Sequence, residues 1–113
     1  KADRPYKDED SDLGRYMIQE GFKPPADMQK VIDEQDFVGW RGVVYRDNEG
    51  KEKYFEVEYA LRSEAEKAWS GNFVVIEIKC RLIFSYQEKK CVAAKWTDDK
   101  GNEHKKRYDG KPV

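Results

Sequence analysis

The sequence predicts an α+β fold. An antiparallel sheet of about five strands carries two N-terminal helices and one short helix between strands 2 and 3, in the order ααββαβββ. Three observations carry this. Apolar spacing is helical up to about residue 35 and then becomes two. Glycine-bearing turns, "DNEG" and "DDKGN", separate the later apolar runs. The stretch "FVVIEIKCRLIFSYQ" (73–87) alternates apolar and polar residues, which gives one dry and one wet face, as in antiparallel sheets.

A chain of 113 residues is one domain of ordinary size. Charged residues make up 40%, so the surface is densely charged, yet 22 basic residues stand against 23 acidic ones and the net charge is −1. A domain-wide basic field is therefore excluded. No apolar run approaches the roughly 20 residues that span a bilayer. The chain begins at Lys1, which fits either a removed leader or a trimmed start.

"KADRPYKDEDSD" (1–12) has almost nothing to bury and reads as a flexible arm, leaving 13–113 as the single folded domain. Ser11 or Asp12 caps a first helix whose Leu13, Tyr16 and Met17 share a face, and Gly21 ends it. "PPADMQKVIDEQ" gives the second helix, with Pro25 in its first turn and Met28, Val31 and Ile32 as its stripe. Residues 37–46 and 54–62 form a hairpin. A two-residue loop at Glu49 and Gly50 sets Val44 opposite Phe55, Gly42 opposite Val57, Trp40 opposite Tyr59 and Val38 opposite Leu61. All of these then share the core face. Ser63 and Glu66 read as a capping box for a short helix over 63–70, stopped by Gly71. A long strand follows over 73–86, then the return strand "CVAAKWT", and last the polar "EHKKRY", whose lysines suit a sheet edge.

The two cysteines test the second hairpin. A three-residue loop at 88–90 pairs Tyr86 with Val92, Phe84 with Ala94 and Leu82 with Trp96. Cys91 then lies opposite Gln87, roughly 23 Å along the strand from Cys80 and on the other face. A disulfide needs Cα atoms within roughly 7 Å, so this register leaves both thiols free and Cys80 buried. A bulge between Lys79 and Tyr86 would restore the bond.

No catalytic or metal-binding motif stands out, and no cofactor is expected. His104 is the single histidine and sits among charges. Glu56, Glu58 and Glu77 fall on the solvent face, where solvated carboxylates are the simple reading. Two patches suit binding. On the wet face of the first hairpin, Tyr45 pairs with Tyr54 beside Val43 and Arg41, which is the composition of a binding hot spot. The C-terminal hairpin offers Lys95, Lys105, Lys106 and Arg107 with Tyr108, suited to phosphates and base stacking.

The apolar strand ending in Ile78, Lys79 and Cys80, followed by Tyr86 and by Trp96 before the "DDKGN" turn, resembles the surface-adhesin protein E family. The likeness covers roughly residues 40–102. It implies an exported bacterial domain (periplasmic, surface-bound or secreted) that binds a protein or host ligand without catalysis. The alternative is a cytoplasmic module that uses the basic C-terminal hairpin to hold nucleic acid or a protein partner. A second alternative is a small hydrolase or isomerase with a carboxylate-lined pocket in the sheet.

Overall fold

The computed structural model describes residues 22–112. The predicted arm over 1–12 and the predicted helix of Leu13, Tyr16 and Met17 lie outside the described residues. Within them the order is αββαβββ: α1 (Ala26–Gln35), β1 (Phe37–Arg46), β2 (Glu52–Leu61), α2 (Arg62–Trp69), β3 (Cys80–Ser85), β4 (Lys90–Thr97) and β5 (Glu103–Arg107). The five strands form one antiparallel sheet in sequence order, each joined to the next as a neighbour.

Two of the hairpin turns are the same device. In "DNEGK" the Asp47 carboxylate accepts from the N–H groups of Glu49 and Lys51, each at 2.9 Å, and Gly50 donates to the Asp47 carbonyl. In "DDKGN" Asp98 does the same for Lys100, Asn102 and Gly101. The glycines take φ of 84° and 86°, a region costly for any side chain, so the D-x-x-G spacing is dictated by backbone geometry. The first loop is thus Asn48 to Gly50, one residue longer than predicted.

The register of β1 and β2 follows the prediction at its centre: Tyr45 faces Tyr54, Val44 faces Phe55 and Gly42 faces Val57. It shifts at Trp40, so Gly39 faces Tyr59 and Val38 faces Ala60. The predicted Trp40–Tyr59 and Val38–Leu61 pairs are not formed. Trp40 stacks instead on Trp69 of α2, with ring centroids 6.5 Å apart. Val44 keeps its partner, but β1 is an edge strand and leaves it 37% exposed.

One face of the sheet holds the main core. Phe55, Val57 and Tyr59 of β2, Cys80, Leu82 and Phe84 of β3, and Ala94 of β4 meet Met28 and Ile32 of α1 there. Phe22 stacks on Phe84 at 5.6 Å. Each of the large side chains removed from water contributes about 1.5–3 kcal/mol. Val38, Ala60 and Ala65 are equally buried but lie outside this cluster. Ala60 alternates with Tyr59, so it and Val38 point to the opposite face, where α2 lies against β1 and β2. The helices therefore do not share one face as predicted. Nor does Ser63 cap α2: the helix starts at Arg62, its N-cap is Leu61, and no side chain bonds the free amides.

β3 begins at Cys80, not at residue 73. Lys79 is the last residue held on both sides: its N–H donates to the Tyr59 carbonyl and its carbonyl accepts from Thr97. Before it, β2 has already turned into α2 and β4 into the Asp98 turn, so no neighbouring strand remains among the described residues. The β3–β4 loop has four residues, Tyr86 to Lys89, with Lys89 at φ 53°. Cys80 therefore pairs with Trp96 and Leu82 with Ala94, two residues off the predicted register. A bulge at Val92 then sets Cys91 opposite Phe84. Cys91 accordingly joins Cys80 in the core, which corrects the prediction that they take opposite faces. They remain four positions apart along β3, roughly 13 Å, and both are free.

Candidate binding face

The second face of the sheet is built by the other half of the alternation. From β1 to β5 one row of partners runs Arg41, Glu58, Arg81, Lys95 and Lys105. Four cations and one carboxylate thus lie in register across all five strands. The next row is Val43, Glu56, Ile83, Ala93 and Arg107. Beyond it come Tyr45 and Tyr54, 49% and 40% exposed. The predicted set Arg41, Val43, Tyr45 and Tyr54 therefore forms one patch, which continues across the sheet to Lys95, Lys105 and Arg107.

Lys106 and Tyr108 belong elsewhere. Lys106 pairs with Ala94, a core-face residue, so it points to the α1 side. There its ammonium and the Tyr108 hydroxyl, at 3.0 Å, both hold the carboxylate of Asp27 in the first turn of α1. Burial raises the Asp27 carboxyl, but these bonds outweigh it and hold the group below its ordinary range. Burial, then the bond to Asp27, pushes the Tyr108 phenol up. These two residues of the predicted basic patch clamp the helix to the sheet edge and are removed from the binding face.

Glu56 and Glu58 are not solvated as predicted. They are 9% and 5% exposed. Glu58 accepts from Arg41 Nε at 2.7 Å and Arg81 Nε at 3.2 Å. Arg81 Nε also lies 3.4 Å from Glu56, whose other oxygen accepts from the Tyr45 hydroxyl at 2.6 Å. That bond to Glu56 raises the Tyr45 phenol. A carboxylate can lie this deep only because each is paired. The network fixes Arg41, Arg81 and Tyr45 while leaving both arginine side chains about two-fifths exposed, at 40% and 41%.

Across the β4–β5 side the balance changes. Lys95 and Lys105 face each other directly, both exposed, and neither has an ion pair among the described residues. Arg107 is held by Asp109. Between these cations and Arg81 lies an open depression of about 280 Å³, floored by the side chains of Ile83 and Ala93. It is shallow and largely apolar at its base with a cationic rim.

Arg81, Glu56 and Glu58 were missing from the predicted site. Alternation already turned Arg81 outward, but the predicted register set it beside Thr97 and not Lys95, so the cationic row was hidden. His104 stays outside the face. Its ring stacks on Trp96 at 4.2 Å and its Nε2 lies 3.0 Å from Asp98. His104, and then the Asn102 amide, pull the Asp98 carboxyl down to about 2. Among the described residues no group of His, Cys, Asp or Glu is arranged to hold a metal ion. No helix there is long and apolar enough to cross a membrane. Comparison of the chain with family models, with curated proteins and with solved structures finds no match.

Proposed function

We propose that this chain is a non-enzymatic binding module of an exported protein and that the second sheet face is its adhesive surface, matched to an anionic partner. The observation that carries the reading is the row Arg41, Glu58, Arg81, Lys95 and Lys105. Its one acid is already committed to two arginines. Lys95 and Lys105 repel across the strands, and an anion laid over them removes that repulsion. A broad flat face with a polar rim and exposed tyrosines suits an extended ligand better than a small substrate. Residence in the envelope or outside the cell is proposed from the likeness of residues 40–102 to the surface-adhesin protein E family. Finding a hydrophobic leader encoded before Lys1 would support it, and finding none would count against it.

The test is binding of a sulfated polysaccharide and of a single-stranded oligonucleotide, each titrated against salt. Affinity for the polysaccharide that falls with salt, and falls further in Lys95→Ala/Lys105→Ala, supports the reading. A variant that binds as the parent does refutes it. The second reading, a nucleic-acid module, is favoured by one observation: the Tyr45–Tyr54 pair borders the cations, as stacking platforms do in single-strand binders. Preference for the oligonucleotide, lost in Tyr54→Ala, selects it.

A further inference from the structure

A second cleft lies at one end of the sheet, where the start of β2 sits beside the β3–β4 loop. It holds about 460 Å³ and is lined by Lys51, Lys53 and Tyr54 from the first hairpin, Ser85 and Gln87 from the second, and Lys111 from the tail. Lys111 is placed there by a turn of its own. The Asp109 carboxylate accepts from Arg107 Nε and from the Lys111 N–H, each at 3.1 Å, and Gly110 takes φ 80°. The three lysines are exposed and make no ion pair among the described residues. The nearby acids have other partners. Glu52 lies 3.6 Å from Arg46, Glu88 lies 3.9 Å from Lys90, and Asp47 accepts from the amides of its own turn.

The cleft opens on the same sheet face as Lys95 and Lys105. Tyr54 and Ser85 pair in the row beyond Glu56 and Ile83, and Arg107, at the rim of the first depression, lies within electrostatic reach of Tyr54. Lys53 is five residues along β2 from Glu58, and Lys95 lies two strands from Glu58 in the same row. The two groups of cations are thus roughly 20 Å apart. We infer, on the reading of the face as a polyanion surface, that this cleft is a second cationic subsite: it holds one end of an extended sulfated polysaccharide whose other end lies on Lys95 and Lys105. Lysine ammonium groups meet sulfates as point charges, and the Gln87 amide and Tyr54 hydroxyl pair with sugar hydroxyls. Nucleic acid needs stacking faces along its track. The cleft offers Tyr54 alone for that, because the Tyr86 ring is packed edge-on against Phe22 at 5.4 Å. Two subsites bridged by one chain act as a linked pair, so affinity depends on ligand length as well as on charge.

Heparin fragments fractionated by length, titrated by fluorescence anisotropy at two salt concentrations, test it. Fragments shorter than about 20 Å should bind weakly, and affinity should step up at least about tenfold once they exceed that span. In Lys51→Ala/Lys53→Ala/Lys111→Ala the step should disappear, and the salt dependence for long fragments should fall by about two released ions. The melting midpoint should not change, because all three side chains are exposed and unpaired among the described residues. Affinity that climbs smoothly with length in the parent overturns the second subsite, and so does a step that survives in the triple variant. If the triple variant binds as the parent does while Lys95→Ala/Lys105→Ala loses the long fragments, the subsite falls and the reading of the face stands. If neither variant weakens binding, both fall. A step seen with single-stranded oligonucleotides and not with heparin overturns the sulfated chain as the ligand.

Discussion

Glu58→Gln separates what the buried carboxylate does for the fold from what it does for the face. The change keeps the shape and one acceptor but removes a charge that meets Arg41 at 2.7 Å and Arg81 at 3.2 Å. Breaking a fully buried pair costs about 3–5 kcal/mol. Here both arginine side chains are about two-fifths exposed, and Arg81 retains Glu56 at 3.4 Å. Solvent therefore compensates much of the loss. Two charge-assisted bonds are weakened and not left empty, so the expected cost is about 1–2 kcal/mol. For a domain of this size that lowers the melting midpoint by roughly 5–10 °C. The same change leaves the cationic row with no acid, so affinity for a polyanion should rise and its salt dependence steepen by about one released ion. Thermal denaturation and anisotropy titrations at two salt concentrations read both effects. Stability and affinity moving in opposite directions is the expected result. If both fall, Glu58 is part of the ligand contact and the anionic-partner reasoning is refuted. If neither moves, the network carries no weight.

Lys95→Glu should turn a repulsive cross-strand pair into an attractive one, raising stability by about 0.2–1 kcal/mol while weakening anion binding; denaturant melts and the same titrations check it. Cys80 and Cys91 are pushed up to about 12 and about 11, by burial above all, so neither should alkylate in the native protein at neutral pH. Both should alkylate after denaturation without reductant, as mass spectrometry will show. The Asp98 carboxyl is held at about 2 in the fold, below its ordinary 3.8, so the stability it adds is present above pH 4 and fades as the pH falls towards 2. Asp98→Asn should therefore melt lower than the parent at neutral pH, with the gap closing in acid. Ser63→Ala should change stability by less than about 0.5 kcal/mol, because its hydroxyl caps nothing; a loss of 1 kcal/mol or more would restore the capping box.

The sequence carried strand identity well because alternation is a property of single strands. It named β1, β2, β4 and β5 to within a residue or two, and the outward course of Arg41, Tyr45, Tyr54 and Lys95. It failed where the answer belongs to two strands at once. The bulge at Trp40 accompanies its stacking on Trp69, 29 positions along the chain, a partner that no local pattern contains. The four-residue loop at Tyr86–Lys89 needs Lys89 in the left-handed region, a conformation glycine would have announced and lysine does not. The start of β3 depends on where β2 and β4 stop. "FVVIEI" alternates as a strand should, and only the absence of neighbours among the described elements keeps it from being one.

The register errors explain why two candidate patches stood where the fold has one. A shift of two along β4 moves Lys95 beside Arg81, and with it Lys105, so the tyrosine patch and the basic hairpin become one surface. The same placement sets two lysines face to face, at a cost of about 0.2–1 kcal/mol. The fold had cheaper choices there: the adjoining row places Ala93 beside Arg107, and Arg107 is neutralised by Asp109. Where local rules are kept in one row and broken in the next, the broken row is where function is expected. Arg41 and Arg81 show the fold pairing its charges whenever a carboxylate is near. Among the described residues Lys95 and Lys105 are left without one on the same face, beside an apolar-floored depression, and that contrast is the physical case for a ligand that supplies the missing anion.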